Sequence, residues 1–453
     1  MAGLDTLEAV SQAFARVCGV EWGDVYLRRS AVRDLYFCDG KIEEITSGNS
    51  AGCSARLLNG RHTAVAAFSG IEHGSVARAW NEAFLMAGVS APALPGGEFP
   101  LARPDVYFPD DWSFCYEVDA KLRKECPWIT QVMMSCISSA RNTGIASAEY
   151  YGTCEERLCS FGLSVVLEHD GRIESGYSSW RRHGDAADFF AALDVDRLAR
   201  KALKRALRSL EAEECPTGGM PVVLSERAGG TMIHEACGHG MEADLVFEER
   251  SCFAGMLGKQ VAAEGVTIVD DATLPGRMGS FVRDDEGTLA QRTVLIENGI
   301  LKNYMTDRRS ALLYSLPLTG NGRRSSYSVE PLPRMTNTFV VPGDSCQEEM
   351  IAGVKNGLFV EGMGGGEVNT TTGEFVFEVT EGSLIENGRV TRPVRGASLI
   401  GTGIEALKGI RAVGKNLYLD SGICEKEGQS VPVTDGQPSL LIEGLTVGGT
   451  ATK

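Results

Sequence analysis

Apolar residues recur at helical spacing from Leu4 to Cys18, at Leu4, Leu7, Val10, Phe14 and Val17, and Gly19 follows where a helix stop belongs. The pattern then switches to alternation. Asp24 to Arg29 and Val32 to Cys38 read as strands, Asp39-Gly40 as a tight turn, and Lys41 to Thr46 as the returning strand. Cys53 to Leu58 and His62 to Phe68 flank Asn59-Gly60 as a further hairpin, and Ser75 to Ala87 is helical again. Prolines crowd the stretch 91–111 (Pro92, Pro95, Pro100, Pro104, Pro109), which marks a loop or subdomain boundary. A short helix is expected over Glu117 to Cys126, strands from Trp128 to Ser178 with a turn at Asp170-Gly171, and a longer helix over Val195 to Glu214. Cys215-Pro216-Thr217-Gly218-Gly219 stops that helix and sets the main domain boundary.

The second half reads mostly as strands and turns, with hairpin turns at Asn298-Gly299 and Asn387-Gly388 and helices over Thr306 to Ser315 and Ala397 to Gly409. These elements predict an α+β protein. Residues 1–215 form an N-terminal mixed sheet-and-helix domain, with a possible subdivision near 91–111, and residues 216–453 a strand-rich domain carrying the metal-site helix.

At 453 residues and 43% hydrophobic content the chain can bury at least one large core, which excludes the disordered class. A formal charge of −16 repels phosphate backbones, so no direct nucleic-acid partner is expected. The 13 cysteines are odd in number, scattered from Cys18 to Cys424 and never at CxxC spacing, which argues for reduced thiols and against a zinc ribbon. Asp5 and Glu8 stand where a signal peptide needs a basic start, and no apolar run approaches the roughly 18 residues of a membrane span. A cytoplasmic protein without a membrane partner is expected.

Two of the six histidines lie in one segment, His234-Glu235-Ala236-Cys237-Gly238-His239, after the apolar strand Pro221 to Leu224 and on a helix expected to begin near Ser225. The pattern His-Glu-x-x-x-His has one residue more than the zinc-protease pattern His-Glu-x-x-His. At roughly 100° per residue, histidines five apart differ by about 140° around a regular helix and cannot share an ion. The helix must therefore widen or break before His239. Gly238 and Gly240 make distortion cheap, and a one-residue π-bulge would return both imidazoles to one face. Glu235, beside a ligand histidine, would then face a water at the metal as general base. A catalytic zinc site needs a third protein ligand and keeps a fourth position open. Spacing does not select that ligand: Cys237, Glu242, Asp244, Glu248, Glu249 and any distant cysteine are all chemically allowed. The plainer alternative is a glycine-rich helix end whose histidines bond to backbone, with Glu235 solvated.

With these residues in view, the sequence resembles the TldD/PmbA family, named as modulators of DNA gyrase and known as zinc-dependent peptidases. Within that family it resembles the TldD-type subunit that keeps the HExxxH motif. The matching stretches are HEACGHGMEAD (His234 to Asp244), DDEGTLAQRTVLIENG (Asp284 to Gly299), GNGRRSSY (Gly320 to Tyr327), PRMTNT (Pro333 to Thr338), CEKEGQSVP (Cys424 to Pro432) and TVGGT (Thr446 to Thr450). The first 215 residues match in general layout and in GCSARLLNGR (Gly52 to Arg61). The resemblance implies Zn2+ bound by His234, His239 and Cys424, with Glu235 as the base. It implies a metallopeptidase working as a homodimer or as a heterodimer with a related, motif-lacking subunit. The substrate expected for it is a flexible peptide or unfolded protein, matured or degraded.

Arg323 and Arg324 suit two roles: clamping a peptide carboxylate or carbonyl as a substrate-binding fork, or holding the acidic stretch Asp284-Asp285-Glu286. Gly362-Met363-Gly364-Gly365-Gly366-Glu367 lacks the Gly-Lys-Ser/Thr ending of a phosphate loop and reads as a tight turn before a strand at Glu374 to Val379. A rival of another class is a non-catalytic, metal-containing protein that binds or escorts peptides. Glu235 speaks against it, because a structural zinc site normally has four protein ligands and needs no adjacent base.

Overall fold

The computed structural model describes residues 2–99 and 101–450, so Pro100, counted above among the loop prolines, lies outside the described residues. Its architecture is α+β, built on two large sheets. The first has six antiparallel strands in the spatial order His62–Ser69, Lys41–Asn59, Trp22–Cys38, Ile129–Ser147, Tyr151–His169, Arg172–His183. Each set of three consecutive strands is preceded and followed by helix, so one layout occurs twice: Ala2–Phe14 and His73–Met86 bracket the first set, Ser113–Glu125 and Ala186–Ala192 the second. The sets join where Trp22–Cys38 pairs with Ile129–Ser147.

The alternation that reads as two strands, Asp24 to Arg29 and Val32 to Cys38, forms one strand. Ser30 and Ala31 interrupt the apolar pattern, yet both stay in register with partners on either side, Ser50 and Asn49 on one and Arg141 and Ala140 on the other. The helix Val195–Glu211 lays Leu198, Ala202, Leu203 and Ala206 onto the sheet, where they meet Phe161, Leu163 and Val165 in a common core.

The second sheet has 14 strands drawn from residues 213–448. The short strand Val222–Leu224 lies inside it, parallel to Asn356–Val368 and antiparallel to Gln429–Ile442. The expected helix over Ala397 to Gly409 divides: Ala397–Thr402 is a strand paired with Glu374–Glu386, and only Gly403–Lys408 is helical. Alternating burial of Ala397 and Leu399 against that neighbouring strand outweighs their local helix propensity. Among the described residues no helix is long and apolar enough to cross a membrane.

The sheets meet through buried charge. Arg56 bonds Asp24 at 3.2 Å and Glu286 at 2.7 Å, Arg324 reaches Asp24 at 3.1 Å, and the Tyr26 hydroxyl donates to Asp285 at 3.1 Å, all of them buried. Such buried ions hold position only because each has partners, which fixes how the first sheet sits on the second.

Candidate metal centre

Val222–Leu224, buried throughout, delivers the chain to the site. The helix does not begin near Ser225. That residue caps a single 3-10 turn, Glu226–Ala228, by accepting from the Arg227 N–H, and helical structure starts at Thr231. From His234 to Gly238 the backbone is π-helical, and the His239 N–H bonds the His234 carbonyl five residues back. This is the widening that histidines at that spacing require. Gly238 serves packing and not backbone freedom: its torsions are ordinary helical ones, and a Cβ there would lie 2.0 Å from Met335 Sδ.

The two imidazoles meet edge to face, with centroids 5.1 Å apart at 86°. Both Nε2 atoms approach the Cys424 sulfur, 3.1 Å from His234 and 3.4 Å from His239, and the three donor atoms lie within 4.8 Å of one another. Cys424 arrives on the strand Ile410–Lys426, where the buried Arg334 guanidinium donates to its carbonyl at 2.8 Å.

Each remaining ring nitrogen faces a carboxylate. His239 Nδ1 is 3.0 Å from Glu242, which is fully buried and also meets Lys426 Nζ at 3.0 Å; His234 Nδ1 is 3.6 Å from Asp435. Burial opposes charge on all these groups; it prevails at Asp435, whose carboxyl is pushed up to about 6, and is outweighed by mutual contacts at Cys424, His239 and Glu242. Hydrogen bonds from the two histidines hold the Cys424 thiol down at about 5, Glu242 and Cys424 push His239 up to about 10, and Lys426 with His239 holds Glu242 down at about 2. The surroundings thus favour a thiolate. Two imidazoles and a thiolate are zinc-type donors, their separations suit bonds of about 2.0–2.3 Å to one ion, and three protein ligands leave a position open.

Glu235 stands apart from the converging donors, 28% exposed, with its carboxylate 4.0 Å from His239 Nε2. With His239, Glu367, Glu425 and Lys426 it lines an open cleft of about 440 Å³. Of the other ligand candidates, Cys237 is packed in the apolar core, where burial pushes its thiol well up, and Asp244 pairs with Lys426 at 2.7 Å. Glu248 and Glu249 are exposed.

Arg323 and Arg324 are buried away from the triad, lining a separate cavity of about 240 Å³. Arg323 donates to the carbonyls of Met335 and Pro432, both at 2.7 Å. Arg324 bonds Asp24 across the sheets, and its backbone N–H and guanidinium donate to Asp285, within the acidic stretch considered above. The glycine-rich segment is not a turn: residues 362–366 belong to the strand Asn356–Val368, bulged where it pairs with Glu374–Glu386. Sequence reading gave no role to Arg334, Lys426 or Asp435. Arg334 and Lys426 do lie in the matching stretches PRMTNT and CEKEGQSVP, the one signal that set them apart.

Glu242 makes the first prediction. A carboxylate on the far nitrogen of a ligand histidine orients the ring, and losing one typically costs roughly 10- to 100-fold in metal affinity. Glu242→Ala should weaken zinc binding by that order in a chelator competition, with Glu242→Gln losing less. Unchanged affinity in both would remove Glu242 from the site.

The triad is a group that could hold a metal ion, as a metallopeptidase requires. The chain belongs to the PmbA/TldA metallopeptidase family: models of its domain 1, central domain and C-terminal domain match residues 23–87, 103–210 and 217–449. It is 37% identical to the metalloprotease TldD homolog of Haemophilus influenzae, over 95% of this chain and 93% of that protein. It is 33% identical to the zinc metalloprotease TldD homolog of Saccharolobus solfataricus, over 66% of this chain and 68% of that protein. The crystal structure of TldE from Thermococcus kodakarensis shares the fold, with a TM-score of 0.75 and 18% identity over 98% of this chain and 100% of that one.

Proposed function

We propose that the chain is a zinc-dependent peptidase acting on flexible peptides or unfolded proteins, with Zn2+ held by His234, His239 and Cys424. The observation that carries this reading is the convergence of three zinc-type donors beside Glu235 on the wall of an open cleft. Relatives named metalloprotease and zinc metalloprotease support it. Zinc, when bound, supplies Lewis-acid polarisation of the scissile carbonyl and makes water nucleophilic near neutral pH. Glu235 takes the proton released by the attacking water and passes it to the leaving amine. Glu242 and Asp435 keep the ring nitrogens of His239 and His234 turned toward the shared centre. In this reading the chain works as a dimer, with a second copy or a related chain of the same fold, and the likeness to TldE supports the second arrangement.

Metal analysis of the purified protein, with mass spectrometry of a random peptide mixture after incubation, tests the proposal. About one zinc per chain and cleaved backbones are the expected result. Full zinc with no peptide cut would leave a binding protein.

The cleft also suits an extended substrate. Past Val360 the strand Asn356–Val368 loses its pairing with Val222–Leu224 and keeps a strand neighbour, Glu374–Glu386, on one edge. Its glycines at 362 and 364–366 put no side chain in the way of a backbone coming to the other edge. A peptide N-methylated at alternate amides should therefore bind about tenfold more weakly than its parent, the loss of one or two backbone hydrogen bonds. Equal binding of the two peptides in an anisotropy titration would exclude strand addition.

A further inference from the structure

A second cavity, opposite in charge to the cleft of Glu235, shares two strands with it. That cavity, of about 390 Å³, lies between the first sheet and the second and is lined by Arg181, Lys201, Arg205 and Arg227. The same two strands wall both spaces. On Asn356–Val368, residues 362–364 face the basic cavity and Glu367 and Val368 the cleft of Glu235. On Ile410–Lys426, Asp420, Ser421 and Gly422 face the basic cavity, Cys424 carries the donor sulfur, and Glu425 and Lys426 face the cleft. Asp435, on the wall of the basic cavity, is the carboxylate 3.6 Å from His234 Nδ1. The triad thus sits between a basic and an acidic compartment.

Of the basic groups, Arg205 is neutralised from within by Glu381, whereas Arg181 and Lys201 are not. Three carboxylates share the lining: Glu381 is taken up by Arg205, Asp435 faces His234, and Asp420, which the bond it accepts from the Ser421 N–H does not neutralise, lies beyond ion-pair distance of Arg181 and Lys201. Arg181 donates to the Ser421 carbonyl at 2.9 Å and to the Tyr177 hydroxyl at 3.1 Å, both neutral acceptors. Neither Arg181 nor Lys201 has a carboxylate within ion-pair distance among the described residues. On a chain of net charge −16, such a pocket is a local inversion of sign, which attracts an anion and gives it charge-assisted donors.

We propose that this cavity binds a carboxylate of the substrate, so that a peptide lies with its carboxyl-terminal portion over Arg181 and Lys201 and its amino-terminal portion along Glu367, Glu425 and Glu427. The inference rests on the peptidase reading for what occupies the cleft, but its mark is a binding preference that can be read without turnover. The carboxylate is either the peptide's own terminus or an acidic side chain near it.

One peptide sequence is prepared with a free C-terminus, as the amide, and as the amide with a glutamate near the end. Each is titrated by fluorescence anisotropy into zinc-loaded Glu235→Gln protein, with and without the added substitutions Arg181→Ala and Lys201→Ala. Both positions are on the cavity surface, and zinc content with circular dichroism confirms that the variants fold. Amidation should weaken binding about tenfold, the effect of one hydrogen bond between charged groups, and the preference should vanish in the doubly substituted cavity. Recovery by the internal glutamate identifies a side-chain carboxylate as sufficient, and no recovery identifies the terminus. Equal binding of acid and amide, or a preference that survives Arg181→Ala/Lys201→Ala, overturns the proposal. Hydrolysis of the same peptides by the unsubstituted protein is followed separately. Cleavage without preference sinks this inference alone, whereas preference without cleavage sinks the peptidase reading and leaves the carboxylate site standing.

Discussion

Glu235→Ala is expected to keep about one zinc per chain while peptide hydrolysis falls by roughly 10²-fold or more, the usual contribution of a positioned general base. The reason is geometric. Glu235 is not one of the three donors that meet at the triad, and it is held on the cleft wall by the π-helical turn and not by bonds to the ligands, so its loss leaves the donor set in place. Zinc stoichiometry and cleavage measured on one preparation separate three roles. Retained zinc with lost cleavage identifies the base. A joint loss of metal and turnover identifies a residue that orients His239, whose Nε2 is 4.0 Å away. Normal cleavage with normal zinc would sink the general-base assignment.

The larger effect is expected for the donors themselves. His239→Ala or Cys424→Ala leaves two protein ligands, and zinc affinity should drop by more than the roughly 10- to 100-fold typical of an outer partner, with hydrolysis lost at ordinary zinc concentrations. Cys237→Ala is the matched control. It removes a thiol three residues from His234 that lies in the apolar core, so zinc should stay bound, and the cost should appear as reduced stability from the void left behind. Zinc retained in full by Cys424→Ala would give the third position to another residue. Zinc retention by each variant is read by elemental analysis of dialysed protein, and the stability of Cys237→Ala by thermal unfolding.

The fold was legible wherever a local rule decided it. Hairpin turns at Asp39-Gly40, Asp170-Gly171, Asn298-Gly299 and Asn387-Gly388 all place both residues at positive φ, the backbone those residue pairs favour. The departure from a regular helix between His234 and His239 was legible for a similar reason, because angular spacing along one helix needs no tertiary information. Local pattern failed where tertiary pairing took over. The strand inside Ala397 to Gly409 and the strand through residues 362–366 are set by the neighbouring strand Glu374–Glu386, which no spacing rule supplies. The same holds for the supporting groups of the site: Lys426 is recognisable as a partner only once the Cys424 strand lies beside Glu242.

The distance along the chain between the donors governs when the centre can exist. His234 and Cys424 are separated by 190 residues, and the strand bearing Cys424 is held by Gln429–Ile442, which in turn pairs with Val222–Leu224 just before the histidines. During synthesis the histidine segment is therefore made long before its third partner, and a two-donor fragment binds an ion far less well. Affinity rises when the final hairpin closes a very long loop, an event whose entropy cost is met by the sheet and not by the ion. Under the proposed function, metal would then bind the native state selectively and deepen it. In the proposed reading, a nascent or truncated chain stays proteolytically silent, and ion uptake itself reports that the C-terminal hairpin has folded.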